Sequence, residues 1–313
     1  MALAVSVAPL SRPGAAMRDP LQPIMALTKG WSLEATLPRQ ADVAELAAVL
    51  TPDAQVYLSA VPTRDPAEVL AAAVLLRRAG LAPVPHVAVR SFASVAMLDE
   101  FLARMTGEAG VRRALIIAGD REQPAGPFRT ALEAIDSGVL QRHGIGEIGI
   151  AGYPEGHARV SQQELDRALM DKIEIAAQMG LSVHIVTQFG FDAKAIIAWI
   201  VRLRDFGIEQ PVRIGLAGPA NIAALLRYAR RCGVQASAQG LARQSGLAKH
   251  IFGMSAPDIM IRTLAKAHAA ERLGEVALHY FSFGGIATTA RWASAVAAGR
   301  ITLDGAGGFA LQR

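Results

Sequence analysis

Tyr153, Glu155 and His157 stand at alternate positions in "GIAGYPEGH", a run that begins as a short apolar strand and turns abruptly polar. A phenol, a carboxylate and an imidazole this close offer proton donors, acceptors and hydrogen-bonding edges. A plain surface turn is usually served by Asn, Ser and Gly. Other apolar runs carry similar groups. Glu34 lies inside "WSLEATL", Ser59 ends "QVYLSA", His86 sits in "PVPHVAV" and Asp120 closes "RALIIAGD" after Gly119. Thr187 and Gln188 follow "VHIV", and "EVALHYFSF" carries His279, Tyr280 and Ser282.

Each residue has a chemical and a structural reading. A carboxylate within an apolar strand is unusual in a core, so Glu34 is read as an acid or base. Asp120 suits acid–base work or a turn cap. Gln188 presents both a donor and an acceptor, as a hydrogen-bonding heterocycle requires. His86 alone would be a core histidine, and His184 and His279 are assigned to structure. His86, Asp120, Glu155 and His157 are metal-ligand types but lack His-x-His or His-x-x-x-His spacing, so no metal is expected. No Gly-x-Ser-x-Gly elbow is present, and Cys232 falls at a helix end, which leaves no activated nucleophile.

The elements that carry these groups repeat. From Trp31 onward, short β-rich runs alternate with Ala- and Leu-rich stretches at helical spacing. Eight such units can be counted. Pro66 opens one helix and Gly80 closes it; Ser161 with Glu164 is a capping-box pattern. Strict alternation implies parallel strands joined by crossover helices. Eight units predict a (β/α)8 TIM barrel over residues 31–313, an α/β fold, with an N-terminal arm over 1–30 and a helical insert at about 236–272, before the last strand. A barrel works at the carboxyl ends of its strands, where the polar groups recur. A doubly wound sheet is the rival, but no Gly-x-Gly-x-x-Gly turn supports it.

The bulk properties exclude other classes. The chain has 313 residues, 52% hydrophobic and 19% charged, which favours a folded globular protein. The net charge of +5 comes from scattered cations, and the pairs Arg77-Arg78, Arg112-Arg113 and Arg230-Arg231 fall at predicted helix ends. Nothing interleaves aromatic and basic residues, so no nucleic-acid partner is expected. No run is long enough to span a membrane. One cysteine fits a reducing compartment, and a cytoplasmic location is expected. Ala-rich outer helices would suit a homo-oligomer, as they would suit any barrel.

Taken in order, "LEATLPR", "PHV", "IIAGD", "GIAGYPEGH", "VTQFGFD" and "PVRIGLAG" resemble the methylenetetrahydrofolate reductase family over most of residues 31 to 285. The strand-five and strand-six blocks are the specific ones. The resemblance implies a barrel that reduces 5,10-methylenetetrahydrofolate to 5-methyltetrahydrofolate with NADH or NADPH through FAD. It implies that Glu34 is the general acid, with a pKa raised by burial among Leu33, Ala35 and Leu37. Asp120 matches an aspartate between flavin and folate. Gln188, with Phe189 beside it, matches the pterin-binding segment. His86, Gly119, Asp120, Ala151, Gly152, Tyr153 and His157 match segments lining the flavin, and Ser59 and Lys172 fall in further cofactor segments.

Several blocks depart from the family. The loop after strand two reads "YLSAVPTRD", Ala118 replaces an arginine before Gly119-Asp120, Lys172 stands about a turn early, and strand eight ends "HYFSFGG". The folate half of the site is therefore better matched than the flavin half. Direct hydride transfer without flavin, and a non-redox pterin-binding one-carbon protein, are the alternatives. A metal-dependent lyase or hydrolase using His86, Glu155 and His157 is a third.

Overall fold

Each predicted β-rich run forms a strand, and each strand hands the chain to a helix that returns over the outside. A computed structural model describes residues 19–61, 64–234, 254–270 and 272–312. Eight strands are parallel: β1 (Ser32–Ala35), β2 (Gln55–Leu58), β3 (Ala82–Ala88), β4 (Arg113–Ile117), β5 (Glu147–Gly152), β6 (Ser182–Thr187), β7 (Val212–Ala217) and β10 (Val276–Phe281). They close a ring in the order β1-β10-β7-β6-β5-β4-β3-β2, a TIM barrel. The ring closes with Ser32 opposite His279 and Glu34 opposite Phe281. Two short antiparallel pairs lie outside it: β8 (Ala220–Asn221) with β9 (Met254–Ser255), and β11 (Ile301–Leu303) with β12 (Phe309–Leu311).

The helices are α1 (Gln22–Thr28), α2 (Gln40–Ala47), α3 (Pro66–Arg78), α4 (Val95–Ala109), α5 (Ala131–Asp136), α6 (Val139–Arg142), α7 (Gln162–Gln178), α8 (Ala193–Asp205), α9 (Ile222–Arg231), α10 (Asp258–Ala269) and α11 (Ile286–Ala297). Local chemistry sets their starts. Asp65 accepts from the Ala67 amide just before Pro66, and Ser161 and Glu164 satisfy each other's backbone amides at the head of α7. Such caps are worth about 1 kcal/mol each.

The N-terminal arm is more ordered than its composition implies. Residues 22–28 form α1, which buries Ile24 and Leu27 and packs on α10 and α11. Residues 1–18 lie outside the described residues, as does 235–253 of the expected insert; the described remainder of the insert contains β9 and α10. Among the described residues, no helix is long and apolar enough to cross a membrane.

Strand alternation divides the buried residues between two places. Leu33, Val56, Leu58, Ile116, Ile150 and Leu216 face the outer helices in the main core. A smaller apolar cluster of Tyr57, Val84, Leu115 and Val186 fills the ring. Barrel interiors are usually dominated by branched aliphatic residues. This one also takes in Glu34, His86, His184 and His279, each in contact with another interior side chain.

Candidate functional site

The first strand reads Ser-Leu-Glu-Ala, so its period of two turns Ser32 and Glu34 inward together. Glu34 Oε1 accepts the Ser59 hydroxyl at 2.5 Å. Ser59 is itself held by Ala35, whose carbonyl accepts its amide at 3.0 Å. Glu34 Oε2 faces two imidazoles, His86 Nε2 at 3.5 Å and His279 Nε2 at 3.6 Å. The three side chains are 15%, 9% and 0% exposed. Neither imidazole nitrogen has another hydrogen-bond partner.

The far side of His279 is held by a polar contact. Arg213 donates to Ser32 Oγ at 3.4 Å, and Ser32 Oγ lies 2.9 Å from His279 Nδ1. Ser32 Oγ thus bridges the guanidinium and the imidazole, on the side of His279 away from Glu34. Burial keeps both histidines below their ordinary pKa, against the raising effect of Glu34.

The expected elevation of the Glu34 pKa is not found. Burial does push this carboxyl up, but His86, His279 and the Ser59 hydroxyl together outweigh it, and the carboxyl lies below its usual range. The sequence neighbours Leu33 and Ala35 are buried in the outer core and do not surround the carboxyl. Its surroundings come from strands far along the chain.

Asp120 is exposed, three residues past the end of β4. Gly119 precedes it with φ +89°, where a Cβ would meet Ala88 Cβ at 2.9 Å. The Asp120 charge reaches Tyr153, whose pKa burial raises first and Asp120 second. Burial, then Asp120, then Glu34 raise the Cys232 thiol to about 11. Both carboxylates thus act on one mouth of the barrel. Gln188 follows β6 at the same end. It lines an open hollow with Tyr153, Glu155, His157, Phe189 and Cys232. The Tyr153 and His157 rings meet edge to face at 5.1 Å. Gln188 Oε1 accepts the Phe189 amide at 3.0 Å. Its carbonyl is engaged, so the amide NH2 is the group left to a ligand.

Ala151 and Gly152 line a separate crevice of about 200 Å³ between the end of β5 and α7. Leu165, Leu169 and Trp199 make up its apolar side, and Asp166 its charged side. Asp166 is engaged by Arg202 at 3.3 Å and Gln162 at 2.7 Å. No cation is among the described residues lining it. Lys172 lies in neither lining; burial lowers its pKa to about 8. Ser59 and His86 are turned to Glu34. The described residues lining this crevice offer no cation to a flavin diphosphate.

Sequence reasoning placed Glu34, Asp120, Gln188, Phe189, Tyr153 and His157 at one end of the barrel, and the structure brings them there. Ser32, Arg213 and the contact of His279 with Glu34 were not foreseen. The available signal was the two-residue spacing of Ser32 with Glu34 and of His279 with Phe281. His86, Glu155 and His157 do not converge: His86 faces Glu34, while Glu155 and His157 line the larger hollow. Among the described residues no cluster is arranged to hold a metal ion.

Fold and site together define a (β/α)8 barrel protein with a carboxylate held between imidazoles at its working mouth. Residues 56–249 match the family model for methylenetetrahydrofolate reductase, and the chain belongs to that family. Methylenetetrahydrofolate reductase 1 of Schizosaccharomyces pombe is 30% identical over 151 residues, 45% of this chain and 24% of the yeast protein. The match thus spans about a quarter of that relative. Two solved structures share the fold alone. One is an uncharacterised Clostridium thermocellum protein that binds two copies of 5-methyl-5,6,7,8-tetrahydrofolic acid (TM-score 0.55, 13% identity, 88% of this chain and 96% of that one). The other is a GH18 chitinase from Pseudoalteromonas aurantia (TM-score 0.52, 12% identity, 85% and 99%).

Proposed function

We propose that this protein reduces 5,10-methylenetetrahydrofolate to 5-methyltetrahydrofolate with hydride from NADH or NADPH, in the cytoplasm. The observation that carries the reading is the inward Glu34 carboxylate, bonded to Ser59 and flanked by His86 and His279, at the mouth it shares with Asp120 and Gln188. Family membership supports a folate-related one-carbon role.

The residues divide the work. Glu34 delivers a proton to folate N10 as the bond from N10 to the bridging carbon breaks and its electron pair stays on nitrogen. The bridging carbon, now an iminium with N5, takes hydride from the nicotinamide; the methyl group and oxidised nicotinamide result. Asp120 offers a negative charge to the cationic iminium. Gln188 offers its NH2 to an acceptor on the pterin. To act as the acid, the Glu34 carboxyl must be protonated in the substrate complex, against the lowering effect of His86 and His279.

The crevice beside α7, with no cation among its described lining residues, supports transfer directly from nicotinamide, without flavin.

The test is oxidation of NADH or NADPH that depends on methylenetetrahydrofolate. The wild-type chain is expected to show it. Glu34→Gln, which keeps shape and loses the proton, is expected to lower kcat by about 10²–10⁴-fold while still binding nicotinamide. Normal turnover by that variant would remove Glu34 from the reaction.

A further inference from the structure

We infer that Glu155 is a positioning residue that sets where Gln188 stands, an inference that rests on the reduced-folate reading above. Glu155 belongs to the loop after β5, yet it serves the loop after β6. Its Oε1 accepts the Phe191 amide at 2.8 Å and the Asp192 amide at 3.0 Å. These amides follow Gln188 by three and four positions. Asp192 then caps α8, accepting from Lys194 at 2.9 Å and Ala195 at 3.2 Å. The Glu155 carboxylate therefore fixes the point where the loop becomes helix.

The path to those amides exists because residue 190 is glycine. A Cβ there would stand 2.3 Å from Glu155 Oε1. The near end of the segment is tied separately. Gln188 donates its amide to the Gly152 carbonyl at 2.9 Å, and Thr187 Oγ1 accepts from Gly215 at 2.8 Å. Gly190 also donates to the Gly215 carbonyl at 3.2 Å, so residues 187–190 are held by the β5 and β7 backbones and residues 191–192 by Glu155. Phe189 lies between, in edge and tilted contact with Phe191, Phe281 and Phe283 at 5.8, 5.2 and 4.8 Å. Phe281 is the β10 residue opposite Glu34. Release of the far end would leave Gln188 and Phe189 held only by the Gly152 and Gly215 carbonyls and loosen their place at the mouth.

The clamp needs an acceptor at Glu155, and not a charge. That separates it from a catalytic role and from electrostatic steering. Four variants test it in the full chain: Glu155→Gln, Glu155→Ala, Gly190→Ala and the double Glu155→Ala/Gly190→Ala. The readouts are titration with 5-methyltetrahydrofolate, titration with NADH, and amide hydrogen exchange across residues 187–192.

Glu155→Gln keeps an oxygen on the two amides, and is expected to bind the folate within about threefold of wild type. Glu155→Ala and Gly190→Ala are each expected to weaken it about tenfold, to raise the folate KM more than they lower kcat, and to leave NADH affinity unchanged. Exchange at Phe191 and Asp192 should quicken in the two Ala variants and stay slow in Glu155→Gln. The double variant should be no weaker than Glu155→Ala alone, because the added methyl no longer meets a carboxylate. Wild-type binding and exchange by folded Glu155→Ala would overturn the inference. So would additive losses in the double variant, or a Glu155→Gln as weak as Glu155→Ala. A wild-type chain that binds no reduced folate, yet shows the exchange pattern, would sink the folate reading and keep the clamp.

Discussion

Gln188 shows how one hydrogen bond converts an ambiguous side chain into a directional one. A free glutamine offers both edges; here the Phe189 amide takes the carbonyl, and the NH2 remains. Replacement of Gln188 by Glu keeps the bond to Phe189 and presents an oxygen where two donors stood. Gln188→Glu is therefore expected to weaken 5-methyltetrahydrofolate by about 10–100-fold in a binding titration, from one or two lost donors. An unchanged affinity would mean that the ligand does not meet this edge. Glu34, by contrast, was legible by type and misread by environment. An isolated carboxylate in an apolar strand implies an elevated pKa. The imidazoles that reverse the direction arrive from residues 86 and 279, and no local pattern around residue 34 announces them. His279 was unreadable for the same reason. A histidine within a strand looks like core until the ring closes and places it beside Glu34.

Elements were the most legible level, because capping chemistry and hydrophobic period are local. Ser161 and Glu164 mark the start of α7, and the structure shows the reciprocal bonds, Ser161 N to Glu164 Oε2 at 2.9 Å and Glu164 N to Ser161 Oγ at 3.3 Å. Ser161→Ala is expected to cost about 1 kcal/mol in urea denaturation, with the slope unchanged. A loss near zero would show that water replaces the cap. The arm was read less well. Its Pro-rich composition hides the short helix α1, whose order comes from packing on α10 and α11 and not from its own seven residues.

At the scale of the molecule, the barrel interior carries a polar column that apolar barrels lack. Tyr57 bonds His184 Nε2 at 2.8 Å, and His184 Nδ1 lies 3.0 Å from Glu147, which also meets Arg113. His184 first, then Arg113, lowers the Glu147 pKa to about 2 against the opposing effect of burial. A depressed carboxylate stabilises the fold above its unfolded pKa, and that contribution fades as pH falls through the folded value. Glu147→Gln is expected to be about 2 kcal/mol less stable than wild type at pH 7, with the gap closing between about pH 4.5 and pH 2. A gap independent of pH in denaturant titrations would assign the loss to packing.

The cofactor question also belongs to the whole molecule. The crevice beside α7 supports a purified protein without visible flavin absorbance and with sequential kinetics. A yellow protein with ping-pong kinetics would show transfer through FAD.

The seam between β1 and β10 has a consequence for how the acid comes into being. Ser32 and His279 touch across 247 residues of chain. Contacts so distant form late, since each requires the intervening polypeptide to be gathered first. During biosynthesis Glu34 emerges early and then waits, without its second imidazole, until nearly the whole ring has been translated. The surroundings of the Glu34 carboxylate are thus incomplete in nascent and partly folded chains.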